Sequence, residues 1–323
     1  MKRCAASKNE KPPLSVKGKK GNTQYRQWLG LTLGDSSKQQ QAAAVVSDFL
    51  RRKAGRLKQP LARLWCFGFE MDNMKAKCWY DSQMPLLPQA DPEQEKAFAG
   101  AVQRLLQLAS PALPVGAYTY SQGLEWAVES GVIRDEASAG RWVADLLEHG
   151  IGGYEAPLVA ALIAAWQADD HAEVARLDAD FLASRESAEL RAETAQMGFS
   201  MRRLLRDLRD DSLAPVLAVT DAQPEVAFPT VWAGIAARWQ IDPDAALCAY
   251  LWSWAENQVM AALKAVPLGQ AAGQRLLARL GRRIVEVAAA ARQRPEARWS
   301  NFTPAFAIAC ARHETQYSRL FRS

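Results

Sequence analysis

A metal site, a nucleophile or a proton shuttle each needs particular side chains at particular spacings, and this chain offers few of them. Its three histidines, His149, His171 and His313, stand far apart, and none forms an HxxxH or HxxE pair. That pattern argues against a high-affinity metal site built within one chain. Cys4, Cys66, Cys78, Cys248 and Cys310 make no CxxC and have no regular spacing, as in a reduced, cytoplasmic protein. Ser121 and Ser200 lie outside any G-x-S-x-G setting, and no GxxxxGK[ST] loop is present to hold a nucleotide. The GKKGN at 18–22 is too short and too early to be one. No catalytic residue and no tightly bound cofactor are predicted, so the chemistry belongs to partners. A weak transit site made from backbone oxygens, Cys310, His313 or a dimer interface stays open.

Residues suited to contacting a partner cluster in three places. In SPALPVGAYTYSQGLEW (Ser110 to Trp126), Pro111 and Pro114 forbid helix before Gly116, which permits an unusual backbone angle or a close approach. Beyond it, Tyr118, Ser121, Gln122, Glu125 and Glu129 read as the polar side of a helix whose other side carries Leu124, Ala127 and Val128. Each of these polar residues could serve a partner contact, a core position or a cap. Lys264 is a lone lysine in an arginine-rich region, one turn before Pro267 and Gly269. Its ammonium can offset a helix C-terminal dipole or reach a partner's acidic face. Gly269 and Gln270 are read as loop and capping residues shaping the same surface. Finally, Tyr317 to Ser323 is short and basic, and is expected to fray when free. Arg319, Leu320, Phe321 and Arg322 suit an acidic and apolar groove on a partner.

The elements that must position these residues divide by composition. Residues 1–83 hold 17 Lys and Arg against 6 Asp and Glu, whereas the remaining 240 hold 23 against 29. Lysine is common before Met84, but beyond it only Lys96 and Lys264 remain beside 21 Arg. Two segments of different origin follow from so abrupt a change. Residues 1–22 read as a disordered basic tail and 23–92 as a partial segment, with a short helix over Gln39 to Lys53 and an aromatic run from Leu64 to Tyr80. Basic residues interleaved with aromatics keep nucleic-acid binding open as an alternative function. No run of about 18 apolar residues suggests a membrane span.

From Glu93 the pattern is helical almost throughout, predicting an all-α multi-helix bundle over 93–323 behind a poorly packed or partly disordered basic extension. Asp135 caps a helix predicted to run through Glu148 and stop at Gly150. Helices are also predicted over Leu158 to Trp166, Val174 to Leu182, Arg185 to Leu208, Asp242 to Leu263 and Gly269 to Arg292. The interleaved Arg and Glu of Arg185 to Leu208 suggest a solvated or partner-facing side.

Several of these stretches resemble one family. RLLQLASPALPVGAYTYSQGLEWAVESG (Arg104 to Gly131), RAETAQMGFSMRRLL (Arg191 to Leu205), ENQVMAALKAVPLGQAAGQRLL (Glu256 to Leu277) and the terminal YSRLFRS are similar to the urease accessory protein UreF. The resemblance spans about 220 residues. It implies a non-enzymatic chaperone that assembles as a homodimer with UreD and the GTPase UreG. UreG binds and hydrolyses GTP, and the complex inserts nickel into apo-urease. Lys264, within the family's AxKxVPLGQ motif, is then expected to couple to UreG, and the tail to dock on UreD. A second resemblance precedes it: QWLGLTLGD (Gln27 to Asp35) and FGFEMDNMKAKCWY through MPLL (Met84 to Leu87) are similar to a piece of CasA, the large subunit of a type I CRISPR surveillance complex, over about residues 22–90. That family helps its complex engage DNA.

Overall fold

The computed structural model describes residues 92–323, which are helix, turn or loop with no strand among the described residues. Backbone proximity divides the chain into Met1–Glu95 and Lys96–Ser323, and the second unit holds the helical core. The readings for residues 1–91, including the helix at Gln39 to Lys53 and the aromatic run at Leu64 to Tyr80, lie outside the described residues.

In chain order the helices are α1 (Pro92–Leu108), α2 (Leu124–Glu129), α3 (Glu136–Asp145), a π-helical segment (Leu146–Glu155), α4 (Ala156–Gln167), α5 (His171–Ala183), α6 (Ala188–Leu208), α7 (Ala214–Asp221), α8 (Phe228–Arg238), α9 (Pro243–Ala265), α10 (Gln270–Gln293) and α11 (Pro304–His313). Helices apolar on every side belong at the centre of a bundle. Here α4 buries Leu158, Val159, Leu162, Ile163 and Trp166, and α8, packed against it, buries Val231, Trp232 and Ile235. The Trp166 indole N–H donates to the Thr230 carbonyl at 3.0 Å, so the ring is polar-satisfied inside the core. The α9–α10 pair packs alongside, with α10 burying Leu276, Leu277, Leu280 and Ile284 on one face.

The start of α8 shows how the bundle satisfies its backbone. Ala227, at its N-cap position, has no side chain to cap the first N–H groups. Neighbouring helices supply the acceptors. Asp178 of α5 accepts from Ala227 N at 2.9 Å and from the Thr230 hydroxyl at 2.5 Å, and the Thr194 hydroxyl of α6 accepts from Phe228 N at 3.1 Å. Burial pushes the Asp178 carboxyl above the usual carboxylate range.

Three expectations change. The helix capped by Asp135 does not stop at Gly150; α3 passes through the π-helical segment into α4 without a break. The glycines there permit close approach instead of ending the helix. A Cβ on Gly152 would lie 2.7 Å from both Leu147 O and Val287 Cγ1, and one on Gly153 would lie 2.5 Å from Ser300 O. Second, no single helix follows Gly116. A short turn (Ala117–Thr119) ends at Tyr120, and left-handed Gln122 (φ 53°) and Gly123 (φ 73°) re-aim the chain before α2. Third, the side of α6 read as solvated or partner-facing is divided: Arg203 and Arg206 are exposed and Glu193 is buried, while Arg191 donates to Leu182 O at 2.8 Å and Arg202 to Thr220 O at 2.9 Å and Gln223 O at 3.2 Å.

Gly198 marks the tightest contact of α6. A Cβ there would sit 2.1 Å from Val226 O and 3.1 Å from Ala227 C, both backbone atoms that cannot swing aside. Gly198→Ala should lower the urea unfolding free energy by about 1–3 kcal/mol, the usual cost of overpacking. Gly100→Ala, in open space on α1, should leave it unchanged or raise it by about 0.5–1 kcal/mol.

Candidate partner interface

The segment after α11 turns back across the molecule and ends in a notch between α2, α6 and the Gly116–Gln122 loop. Arg322 N donates to Thr119 O at 2.8 Å, and the Ser323 carbonyl oxygen accepts from Ser121 N at 2.6 Å, Gln122 N at 3.0 Å and the Ser121 hydroxyl at 2.6 Å. Glu125 of α2 completes the hold. Its carboxylate accepts from Leu320 N at 2.6 Å and Phe321 N at 3.0 Å. The Ser323 hydroxyl donates to Glu193 of α6 at 2.7 Å, and the Gln122 amide donates to the same carboxylate at 2.8 Å. The Gln122 oxygen in turn accepts from the Trp254 indole N–H at 2.8 Å.

Charged groups surround this notch in a fixed order. The His313 ring, fully buried on α11, faces Glu189 through Nδ1 at 2.7 Å and Glu125 through Nε2 at 3.3 Å. Arg319 also donates to Glu189. Because the two carboxylates meet different ring nitrogens, they do not converge on one point. Among the described residues no group of three or more His, Cys, Asp or Glu is arranged to hold a metal ion. Burial pushes the Glu193 carboxyl up to about 7 against the opposing hydrogen bonds from Ser323 and Gln122. Burial likewise raises the Cys310 thiol, so this cysteine is not an activated nucleophile.

Lys264 stands in the last turn of α9, where its charge also suits the helix dipole. Its ammonium lies 5.6 Å from the Tyr118 ring centroid and 5.5 Å from that of Phe321. Three residues singled out separately in the sequence therefore meet. Below them opens a cleft of about 210 Å³, lined by apolar side chains such as Val115, Met197, Phe228 and Trp232 and floored by Glu155, Arg185, Glu193 and Tyr250. The Tyr250 hydroxyl donates to Glu155 at 2.6 Å.

These contacts carry the segments whose sequence resembles UreF, and comparison with known proteins agrees. The chain is 80% identical over 220 residues to the urease accessory protein UreF of Dechloromonas aromatica (strain RCB), covering 68% of this chain and 96% of that protein. It belongs to the UreF family. It is 64% identical over 223 residues to UreF of Azoarcus sp. (strain BH72), covering 68% of this chain and 94% of that one. A bifunctional urease accessory protein UreEF of Bordetella bronchiseptica is 48% identical over 228 residues, covering 70% of this chain and 52% of that protein. The UreF family model matches residues 133–281, and the model of CRISPR-associated protein Cse1 matches residues 2–180. The Cse1 match takes in the CasA-like fragment and overlaps the UreF match.

The UreF-like residues divide between surface and core. Tyr118, Lys264, Gly269, Gln270, Arg319, Leu320 and Arg322 are exposed, whereas Ser121, Glu125 and Phe321 are buried and Gln122 is half-buried. Ser121 and Glu125 are thus anchors of the chain's own tail, since the break at Gln122 and Gly123 turns that polar side inward. The tail expected to fray is instead docked, because its backbone N–H groups find buried acceptors. Gly269 is the N-cap position of α10 with φ −77° and open space around it, so neither backbone angle nor crowding requires glycine there. Glu155, Glu189, Glu193, Tyr250 and His313 were not singled out as partner residues; they come from the π-helical segment, α6, α9 and α11, and only the spacing of Glu189 and Glu193, one turn apart on α6, marks a shared face.

Each hydrogen bond to a charged acceptor contributes about 1.5–3 kcal/mol. Glu125→Gln keeps one acceptor and sets a donor against the other N–H. Trypsin cleavage after Arg319 should then accelerate by about tenfold or more with unchanged helix content; an unaltered rate would show that Glu125 does not hold the tail.

Proposed function

We propose that this UreF-family protein works as a homodimer with UreD and the GTPase UreG, and promotes GTP-dependent nickel insertion into apo-urease. Nickel is cargo of the complex, GTP is bound by UreG, and this chain contributes surfaces in place of catalysis. The observation that carries the reading is the meeting of Lys264, Tyr118 and the tail at one edge of the α9 C-terminus. Two kinds of contact are available there. The Lys264 ammonium can approach a carboxylate-bearing face of the GTPase, and exposed Leu320 and Arg322 can enter an apolar and acidic groove on UreD. Because the tail backbone is already ordered, UreD meets a preformed strip and little entropy is lost on docking.

A cytoplasmic location is part of the proposal. It is supported by Cys248 and Cys310, both unpaired, and no described helix is long and apolar enough to cross a membrane. A second reading rests on the +11 balance of residues 1–83 and the Cse1 match: nucleic-acid binding through the basic segment. It requires salt-sensitive DNA or RNA binding that disappears when residues 1–83 are removed.

Lys264→Ala should leave the melting temperature unchanged while weakening UreG recruitment or altering the GTP dependence of urease activation. Normal UreG binding with unchanged GTP dependence would refute the role of Lys264. Leu320→Ala removes an exposed side chain while sparing the docked backbone, and should weaken UreD binding by about fivefold or more. Full-strength UreD binding by this variant would place the UreD contact elsewhere.

A further inference from the structure

Glu193 is buried on α6 at the point where the tail closes over the cleft. One carboxylate oxygen meets the Gln122 amide and the other the Ser323 hydroxyl. The other groups around it come from several segments of the chain. Glu155 of the π-helical segment adds a like charge, and Arg185, ahead of α6, adds an opposite one. Tyr250 of α9 and Cys310 of α11 face it as neutral groups that burial keeps protonated, as does Tyr120 in the loop. On the far side, His313 and Arg319 are engaged by Glu125 and Glu189. Among the described residues no cation therefore pairs directly with Glu193. Ser323 forms part of the cover over the carboxylate, and the cleft that Glu193 lines gives protons access from the other side.

We propose that tail docking is linked to the protonation of Glu193: the tail is held firmly while this carboxyl is neutral and loosens as it ionises. Undocking removes Ser323 and opens the carboxylate to water, where the charged form is solvated. The direction of the linkage follows from the upward displacement of Glu193, from the ordinary 4.5 to about 7. Burial of the docked site outweighs the hydrogen bond that Ser323 itself donates, so the docked state binds more protons, and the stabilisation is present at low pH and is lost as pH rises through about 7. The device is independent of which partner the tail meets.

The test is hydrogen exchange of the Leu320 to Arg322 amides in the full chain, each rate corrected for intrinsic exchange, at about pH 6 and about pH 8.5. Protection should fall severalfold, up to about tenfold, between the two. In Glu193→Gln, a neutral isostere, it should be the same at both. Protection independent of pH in the unmodified chain, or an undiminished fall in Glu193→Gln, would overturn the proposal. If Glu193→Gln fails to protect the tail at either pH, the carbon-13 titration of the Glu193 carboxyl decides. Its upward displacement should shrink in a chain lacking Leu320 to Ser323, and identical titrations with and without those residues would overturn the linkage.

Discussion

The carboxylate of Glu125 accepting the Leu320 and Phe321 N–H groups is the contact on which the arrangement at this edge of the bundle depends. Those two bonds fix the tail's direction, and the following residues can then meet Thr119, Ser121 and Gln122. Glu125 can do this only because α2 starts where it does. Gln122 and Gly123, both with positive φ, turn the chain so that Ser121 and Glu125 point inward. Gly123 is constrained on its other side as well, since a Cβ there would lie 3.0 Å from Cys310 N on α11. The turn and α11 are thus locked together, and the tail that follows α11 starts from a fixed point.

This economy explains why so many acidic groups are tolerated in the interior. A buried carboxylate without partners is costly, and each of these has a donor. Glu125 has two backbone N–H groups, Glu155 has Tyr250, Glu189 has His313 and Arg319, and Glu193 has Gln122 and Ser323. Several of those donors lie on the tail or on α11. Removing the tail would leave Glu125 and Glu193 short of partners, so it belongs to the folded domain while presenting Leu320 and Arg322 outward.

The bundle was legible in the sequence wherever local chemistry decided it. Asp135, Asp242 with Pro243, and the apolar spacing of α4 to α6 gave helices close to those observed. Two signals misled for physical reasons. Gly150 looks like a stop, yet the helix runs on through Gly152 and Gly153, whose lack of side chains serves packing against Val287 and Ser300, more than 130 residues away in sequence. The polar side after Gly116 reads as one helix face, but the chain breaks at Gln122 and Gly123, and Ser121 and Glu125 hydrogen-bond to a tail some 200 residues further on. Lys264 and Tyr118 were visible as residues, whereas their meeting with Phe321 depends on that same long-range contact.

The central claim is that the tail of the partner-free chain is docked with Phe321 against Lys264. The direct measurement is a search for nuclear Overhauser contacts between the Phe321 ring protons and the Lys264 side-chain methylenes, in the isolated full chain near neutral pH. The account predicts such contacts, together with Leu320 and Phe321 amide shifts displaced from random-coil values by the Glu125 hydrogen bonds. Random-coil shifts throughout Tyr317 to Ser323, with no contact to Lys264, would contradict it and return the tail to a free arm that orders only on a partner.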